Sequence, residues 1–411
     1  MEEEVKRVQF YYGLVLVRTK RFRSLMDQLG RRRISKPIGW AFLYILPVIA
    51  AIGLYIFLSL FVLYLSLPAA QVGVSLRGVT PLAFIGLPGV NPYIPIVDGW
   101  IALLVAMIVH EGAHGIVARS LGLPVKSSGL VFLLFLPIGA FVDVDEQAIS
   151  VASDRDAGRV LAAGAGTNFV VAMVALGLLF AAVSTMTPLT NGLAVSQVAI
   201  PSPAATAGIM PGDFVKAVNG IGYNDSAQLS NAEVSGKLAP NQVVTITVWR
   251  AGVIKQLSNV TLVGNPGNSS RAYIGITSGG SDYLSSLVQQ YTGSLLTRPI
   301  LYFCIPTFPQ CQGEVPFSGS NAVFYSSPFG AQVAPLATLL YWIFFLNLNL
   351  ALFNSLPLGP LDGGQAFRLG VKFIGRGKLS EEWLTRINTI TALAIIIIIF
   401  GFPAAAYLHL I

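Results

Sequence analysis

The sequence contains few charged residues and very few histidines. Only 11% of its 411 residues are Asp, Glu, Lys or Arg, and its mean hydropathy is +0.68, whereas a soluble globular protein has about 25% charged residues. This scarcity excludes an ordinary soluble protein and predicts an integral membrane protein. Histidine occurs three times, at His110, His114 and His409, so a site built on imidazole has few candidate residues.

Cysteine is almost as scarce, because Cys304 and Cys311 in the stretch CIPTFPQC are the only two. Six intervening residues, two of them prolines, make a poor spacing for a metal site. The pair is compatible with a small disulfide loop, if this segment faces an oxidising compartment, or with two free thiols. The sequence leaves both alternatives open.

Positive charge is concentrated at the N-terminus. Residues 1–37 contain ten Lys and Arg against four acidic residues, which accounts for +6 of the net charge of +7. Because this segment directly precedes the first long apolar run, we predict a basic cytoplasmic leader that also contacts anionic lipid. We expect no nucleic-acid partner. The apolar run is longer than a signal-peptide core and is expected to remain as a helix.

Five apolar stretches reach the roughly 20 residues that a membrane-spanning helix needs. They cover 38–67, 96–119, 158–184, 334–357 and 387–410. If the leader is cytoplasmic, the histidine cluster of the second stretch and the basic loop after the fourth both lie near the cytoplasmic face. We therefore predict a mainly α-helical multi-pass protein of the cell membrane with a cytoplasmic active-site end.

The segment 128–146, SGLVFLLFLPIGAFVDVDE, predicts a re-entrant β-hairpin. Its apolar part has about 15 residues, too few for a span, and Pro137-Ile138-Gly139 interrupts it. Non-helical backbone at membrane depth is tolerated only against protein or a watery cavity. We therefore expect the hairpin to line a cavity and to offer a strand edge to an extended substrate.

Residues 191–280 predict a small β-rich domain outside the cell. The stretches LAVSQVAI and VVTITVWRAGVIKQLSNVTLV have the composition of strands, and Ala251-Gly252 marks a turn. Sequons at Asn224, Asn259 and Asn268 suit an exposed domain. Residues 281–333 are predicted to form a linker outside the membrane or on its surface. The domain would separate two catalytic membrane halves, 93–185 and 334–411.

The chemical signal lies in HEGAH, an H-E-x-x-H pattern that contains His110, Glu111 and His114. Residues four apart share a helix face, so both imidazoles can bind one Zn²⁺ beside Glu111. Zinc lowers the pKa of a coordinated water towards 7, and Glu111 would act as general base and proton shuttle. Because charge in lipid costs about 2.5–3.5 kcal/mol per group, the cluster predicts a metal site. His409, near the C-terminus, is interpreted as an interfacial side chain.

A zinc site with two histidines needs a third protein ligand. Asp362, in NSLPLGPLDGGQAFR, follows the fourth apolar stretch at a depth similar to that of the histidines. Pro357 and Pro360 break the helix, so we predict an irregular segment that presents Asp362 to a polar cavity. The alternative is a helix C-cap and turn at the interface. The rival ligands lie in a stretch more typical of solvated loops: Asp143, Asp145 and Glu146.

The combination of HEGAH in one membrane helix and NSLPLGPLDGG in a later one resembles the site-2 protease family of intramembrane zinc metalloproteases. The hairpin FLLFLPIGAFV and the small-residue stretch GAGTN extend the resemblance over most of the chain. It implies one Zn²⁺ per chain, bound by His110, His114 and Asp362, with Glu111 as catalytic acid and base. The helix at 38–67 and its leader are extra to the minimal core of that family.

The resemblance also implies a role for Asn354, which would hold substrate or intermediate near the zinc. A hydrogen bond that stabilises the broken helix is the alternative for this residue. The stretch SPAATAGIMPGDFVKAVNG resembles a PDZ domain of the bacterial protease type. This second resemblance implies a groove for peptide C-termini or strands near Gly192-Leu193-Ala194-Val195. Steric exclusion of bulky substrates is the other role left open for such a domain.

The sequence therefore predicts hydrolysis of peptide bonds in or near the transmembrane segments of membrane-protein substrates, as in regulated intramembrane proteolysis. One alternative is a membrane-anchored PDZ protein that binds peptides, with incidental or no proteolysis. The intact Glu111 argues against it, because a retired site has no need of that carboxylate. A metal transporter is the other alternative, but transport requires several weak sites along a path, and the sequence has one cluster.

Overall fold

The computed structural model describes residues 8–11, 13–19, 21–66, 86–134, 136–308, 311, 313–319 and 321–401. The chain divides into two compact units. The first, called here the helical unit, consists of Met1–Leu176 and Trp342–Ile411, and the second, the β-rich unit, is Gly177–Tyr341.

Among the described residues, five helices are long and apolar enough to cross a membrane, as judged by length and composition. These helices are α2 (Ser35–Ser66), α3 (Ile96–Ser120), α5 (Asp154–Ser184), α9 (Val333–Ser355) and α11 (Glu381–Ile396), the last continued by a π-helical turn at Ile397–Gly401. The five predicted spans are confirmed as helices, with ends that differ by a few residues. His409 and the end of the fifth span lie outside the described residues.

Shorter helices connect or flank these five. They are α1 (Arg21–Gly30), α4 (Glu146–Val151), α6 (Pro203–Thr206), α7 (Ser226–Val234), α8 (Ser281–Gly293) and α10 (Asp362–Ile374). The long helices of the helical unit contact one another through small side chains. Ala102, Ala106, Ala162 and Ala165 are fully buried, which is typical of helices that pack closely in a membrane.

The helical unit also contains a four-stranded antiparallel sheet in the order β1-β2-β3-β4. Its strands are β1 (Val8–Tyr11), β2 (Leu14–Thr19), β3 (Val125–Leu133) and β4 (Leu136–Val144). The last two strands form a hairpin, as predicted, but it begins at Val125, three residues before the predicted segment 128–146. The N-terminal segment, expected only as a basic leader, contributes the other two strands and α1. β2 pairs with β3 along its whole length, with Val17 opposite Leu130.

The β-rich unit is built on a sheet in the order β10-β9-β7-β6-β13, with β8 paired to β7. Its strands are β6 (Leu193–Val198), β7 (Phe214–Val218), β8 (Ile221–Gly222), β9 (Val243–Arg250), β10 (Val253–Thr261) and β13 (Ile276–Gly280). Two further pairs of strands are β11 (Val263–Asn265) with β12 (Asn268–Tyr273), and β5 (Thr187–Pro188) with β14 (Tyr325–Ser326). Alternating residues of β6, β7 and β9, among them Leu193, Val215 and Ile246, form one apolar core.

Two further features stabilise the β-rich unit. The carboxylate of Asp213 is buried, and both of its oxygens accept hydrogen bonds from Arg250, at 2.6 Å each. Cys304 and Cys311 are joined by a disulfide, so the structure selects the first of the two alternatives left open by the sequence.

Candidate metal centre

Three possible metal ligands converge in the helical unit. The Nε2 atoms of His110 and His114 each lie 3.2 Å from Oδ2 of Asp362, and the two Nε2 atoms are 3.3 Å apart. The side chains of the two histidines and the aspartate are 8%, 12% and 18% exposed. Among the described residues, these three form the group of His, Cys, Asp and Glu side chains suited to hold a metal ion.

Helix α3 places the two imidazoles one turn apart on one face, as the i, i+4 spacing predicts. Their rings meet edge to face with centroids 4.9 Å apart. Nδ1 of His114 donates a hydrogen bond of 2.7 Å to the carbonyl oxygen of Val160 on α5. Because that nitrogen carries the proton, the Nε2 lone pair of His114 faces Asp362 and is free to bind a metal.

Gly164 on α5 keeps the space around the imidazoles open. A Cβ atom at this position would lie 2.4 Å from Nε2 of His114 and 2.6 Å from Nε2 of His110, which no real contact allows. The GAGTN stretch therefore contains a residue that the site requires. Sequence reasoning noted the stretch only as part of a resemblance and did not identify the role of Gly164 or of the Val160 carbonyl.

Asp362 reaches the histidines from the first turn of α10. The irregular segment predicted around it comprises residues 356–361, and Asp362 itself begins a helix. The two glycines that follow Asp362 allow the start of this helix to pack directly against the preceding backbone. Cβ atoms at Gly363 and Gly364 would lie 2.3–2.4 Å from backbone atoms of Ser355, Leu356 and Leu358. The double glycine therefore allows the close approach that places the aspartate.

The three side chains fit zinc. Zinc binds histidine nitrogen and carboxylate oxygen at about 2.0–2.2 Å, and a tetrahedral arrangement at these lengths separates ligand atoms by about 3.4 Å. The observed separations of 3.2 and 3.3 Å match that geometry. Two nitrogens and one oxygen also form a donor set of catalytic zinc sites, which keep the fourth position open.

Glu111 is adjacent in sequence to the first ligand but is not one of the three. Its Oε2 accepts a hydrogen bond of 2.9 Å from the backbone N–H of Val142 on β4, so the hairpin holds this carboxylate. The rival ligands on the hairpin have other partners. Asp143 pairs with Arg18, while Asp145 caps α4 and pairs with Lys126.

The other predicted site residues are not part of this cluster. Asn354 lies partly exposed in the last turn of α9, and its role stays a prediction. Leu193, Ala194 and Val195 lie buried on β6, directly after Gly192. β6 pairs with β7 on one side and with β13 on the other, so a peptide strand would have to displace one of them. The groove proposed for this position also stays a prediction.

The sequence matches the family described as Peptidase family M50 over residues 99–399. It is 26% identical to an uncharacterised protein of Methanocaldococcus jannaschii, over 85% of this chain and 75% of that protein. It is 25% identical to a protein of Clostridium perfringens named "putative zinc metalloprotease", over 72% of this chain and 93% of that protein. A protein of Nostoc sp. with the same description is 26% identical, over 67% and 85% of the two chains.

Proposed function

The chain belongs to peptidase family M50, and we propose that it is an intramembrane zinc metalloprotease that hydrolyses peptide bonds in or near the transmembrane segments of other membrane proteins. One observation carries the proposal. Two histidines on a candidate membrane helix meet an aspartate from a distant helix, with a glutamate beside them. Placing such a set of ionisable groups at membrane depth costs free energy, and groups of this kind usually mark a functional site.

Zinc bound by these three ligands would supply a Lewis acid that polarises a carbonyl group and makes water acidic near neutral pH. Glu111 lies next to the ligand His110 in the sequence but is not itself one of the three candidate ligands. We propose that its carboxylate takes a proton from the attacking water and passes it to the nitrogen of the leaving amine. The N–H of Val142, which bonds to Oε2 of Glu111, orients the carboxylate for this task.

The proposed substrate is a transmembrane segment that has unwound into an extended strand, because a helix in lipid keeps its peptide bonds hydrogen-bonded and hidden. β4 is suited to receive it. Among the described strands, β4 pairs only with β3. On its other edge the N–H of Val142 bonds to Glu111, and an incoming strand would take over this donor. A strand added at this edge would gain main-chain hydrogen bonds for any sequence.

We propose the membrane orientation that the charge distribution suggests, with the N-terminus and the active-site end cytoplasmic and the β-rich unit outside the cell. The same proposal includes a PDZ-type role for the β-rich unit, which would either bind peptides or sterically exclude bulky substrates. The bilayer and membrane-spanning substrates are the proposed partners.

The test is a Glu111→Gln variant of the full-length protein, reconstituted in lipid with a synthetic membrane segment of about 20 Leu and Ala residues. We expect both proteins to bind about one zinc per chain, measured by elemental analysis. The variant should cleave the segment about 10²–10⁴-fold more slowly, because it lacks the general base. Glu233→Gln, in the β-rich unit, is the matched control. Full cleavage by the Glu111→Gln protein would overturn the proposal.

A further inference from the structure

A cavity of about 700 Å³ lies within the helical unit, between the four-stranded sheet and helices α1, α2 and α3. Among the described residues that line it, Glu111 alone carries a charge, and nearly all the others are apolar. We call this cavity the side-chain chamber. Since the proposed general base forms part of its wall, the chamber adjoins the place where a peptide bond would be cut.

One face of the sheet forms one wall of the chamber. Val17, Leu130 and Ala140 are direct neighbours across β2, β3 and β4, and all three line the cavity. The next row on the same face, Thr19, Ser128 and Val142, lines it as well. Residues two apart on a strand point to the same side, so these six residues belong to one face of the sheet. Gly129 and Phe141, which lie between them on β3 and β4, also line the chamber.

Helix α3 contributes seven of the lining residues, and the N-terminal part of the chain contributes another part of the wall. Phe22, Leu25 and Met26 line the chamber from α1, and Ile38 and Phe42 line it from α2. These elements belong to the region that the sequence identified as extra to the minimal catalytic core.

Helix α1 is held firmly in this position. Asp27 forms an ion pair with Arg119 of α3. Met26 of α1 also packs against Gly115 of α3. A Cβ atom at Gly115 would lie 2.5 Å from the Sδ atom of Met26, so the two helices are in close contact. The wall is therefore built into the fold of the helical unit.

A substrate strand that pairs with the edge of β4 opposite β3, and takes over the Val142 N–H that now bonds to Glu111, would extend this sheet. Every second side chain of the added strand would then point to the chamber side, in line with Ala140 and Val142. The chamber offers such a side chain an apolar environment next to Glu111. A lipid acyl chain in the same place would bring hydrocarbon against a carboxylate, which is unfavourable, whereas a peptide also brings polar backbone groups.

We propose that the side-chain chamber receives a large apolar side chain of the substrate strand close to the cut bond, and that residues of α1 and α2 set this preference. The chemical class of the substrate is thereby narrowed to membrane segments with a bulky aliphatic or aromatic residue at one fixed position from the cut. This inference rests on the proposed proteolytic function.

Gly112 provides the first test. A Cβ at this position, in the chamber wall, meets no atom within 4 Å, so the side chain of Gly112→Leu starts into open space. Leu25→Trp fills the chamber from α1, a helix that carries none of the three candidate ligands. Gly112→Ala is the matched control.

The cut site of the synthetic Leu and Ala segment is first mapped with the wild-type protein, and the residues around it are then exchanged one at a time between Leu and Ala. We expect the wild type to prefer Leu at one position by about tenfold or more in kcat/KM. Both filling variants should reduce the ratio of kcat/KM for the Leu and Ala segments to about one, chiefly because they slow cleavage of the Leu segment. The Gly112→Ala protein should keep the preference.

The outcomes separate the two proposals. If the wild type with zinc cleaves none of the segments, the proteolytic function is overturned. If it cleaves them and the filling variants keep the wild-type preference, the chamber proposal alone is overturned.

A second measurement does not depend on cleavage. A photoreactive phenylalanine at the selective position of the segment is crosslinked to the Glu111→Gln protein, and the labelled residues are identified by mass spectrometry. We expect labels on residues 22–26 and 38–42. Crosslinks elsewhere would overturn the proposal. It would also be overturned if photoreactive acyl chains of phosphatidylcholine label the same residues and the segment does not displace them, because the chamber would then be a lipid site.

Discussion

The helical unit and the β-rich unit distribute their side chains in opposite ways. In the helical unit, apolar residues such as Val48 and Tyr55 are 54% and 72% exposed on α2, while His110 and Asn168 are buried. In the β-rich unit the apolar residues form the core. This difference is the one expected if hydrocarbon surrounds the helical unit and water surrounds the β-rich unit, as in the proposed membrane arrangement.

The two units also differ in what their buried charges do. In the β-rich unit, Asp213 is matched by Arg250 with a bond to each oxygen, which leaves little chemistry available. In the helical unit, Asp362 faces two imidazoles that are not obliged to carry charge. The first arrangement balances its charge within the protein, whereas the second offers three donor atoms that could hold a cation. The contrast is consistent with a structural role for Asp213 and with the proposed ligand role of Asp362.

The largest effect is expected from Gly164→Ala, which should break the contrast by closing the metal site. The added methyl group would overlap Nε2 of both histidines, so we expect zinc per chain to fall from about one to near zero. Proteolysis should fall by more than about 100-fold. Elemental analysis and cleavage of the synthetic segment measure the two effects.

The matched control is Gly177→Ala on the same helix, where a Cβ meets no atom within 4 Å. This variant should bind zinc and cleave like the wild type. Equal zinc binding by the Gly164→Ala protein would show that α5 does not limit the space around the ligands.

A smaller effect, confined to the other unit, is expected from Arg250→Met. It leaves the Asp213 carboxylate buried without its partner, which costs about 3–5 kcal/mol of unfolding free energy. Pulse proteolysis within residues 177–341 should detect the loss, while zinc binding stays unchanged. Arg298→Met is the control, because the pair of Arg298 with Glu314 is about half exposed and is worth less than about 1 kcal/mol. A loss of zinc in the Arg250→Met protein would contradict the separation of the units.

The smallest effect is expected when the disulfide is removed by replacing Cys304 and Cys311 together with serine. The bridged residues are only seven apart, and a loop of this length contributes about 2 kcal/mol through the entropy of the unfolded chain. The same proteolysis assay should show this decrease, and reduction of the wild type should reproduce it. A decrease as large as that of Arg250→Met would mean that the bridge organises more of the unit than its own loop.

The cluster of candidate ligands was predictable because helical periodicity and position along an apolar stretch are local properties of the sequence. His110 and His114 follow from spacing, and Asp362 follows from its place after an apolar stretch. The pairing of β2 with β3 was not predictable, because Arg18 and its partner Ser127 are 109 residues apart and neither strand signals the other. Gly164 was also missed, since its role depends on how α5 packs against α3.

The predicted peptide groove shows a different kind of limit. The sequence indicates that Leu193 to Val195 form a strand, which they do. Alternation within a strand does not reveal how many neighbours it has, and β13 follows some 80 residues later. Edge or interior position is a property of the whole sheet, so a single stretch cannot predict it.

The proposed ligands have a consequence for the folding of the chain. Asp362 follows His114 by about 250 residues, and the entire β-rich unit lies between them in sequence. A cation that binds all three side chains would therefore act as a cross-link that closes this long loop, and its binding energy would add to the cohesion of the helical unit. Chelation should loosen α3 from α10 and leave the β-rich unit, which has its own covalent bridge, as stable as before.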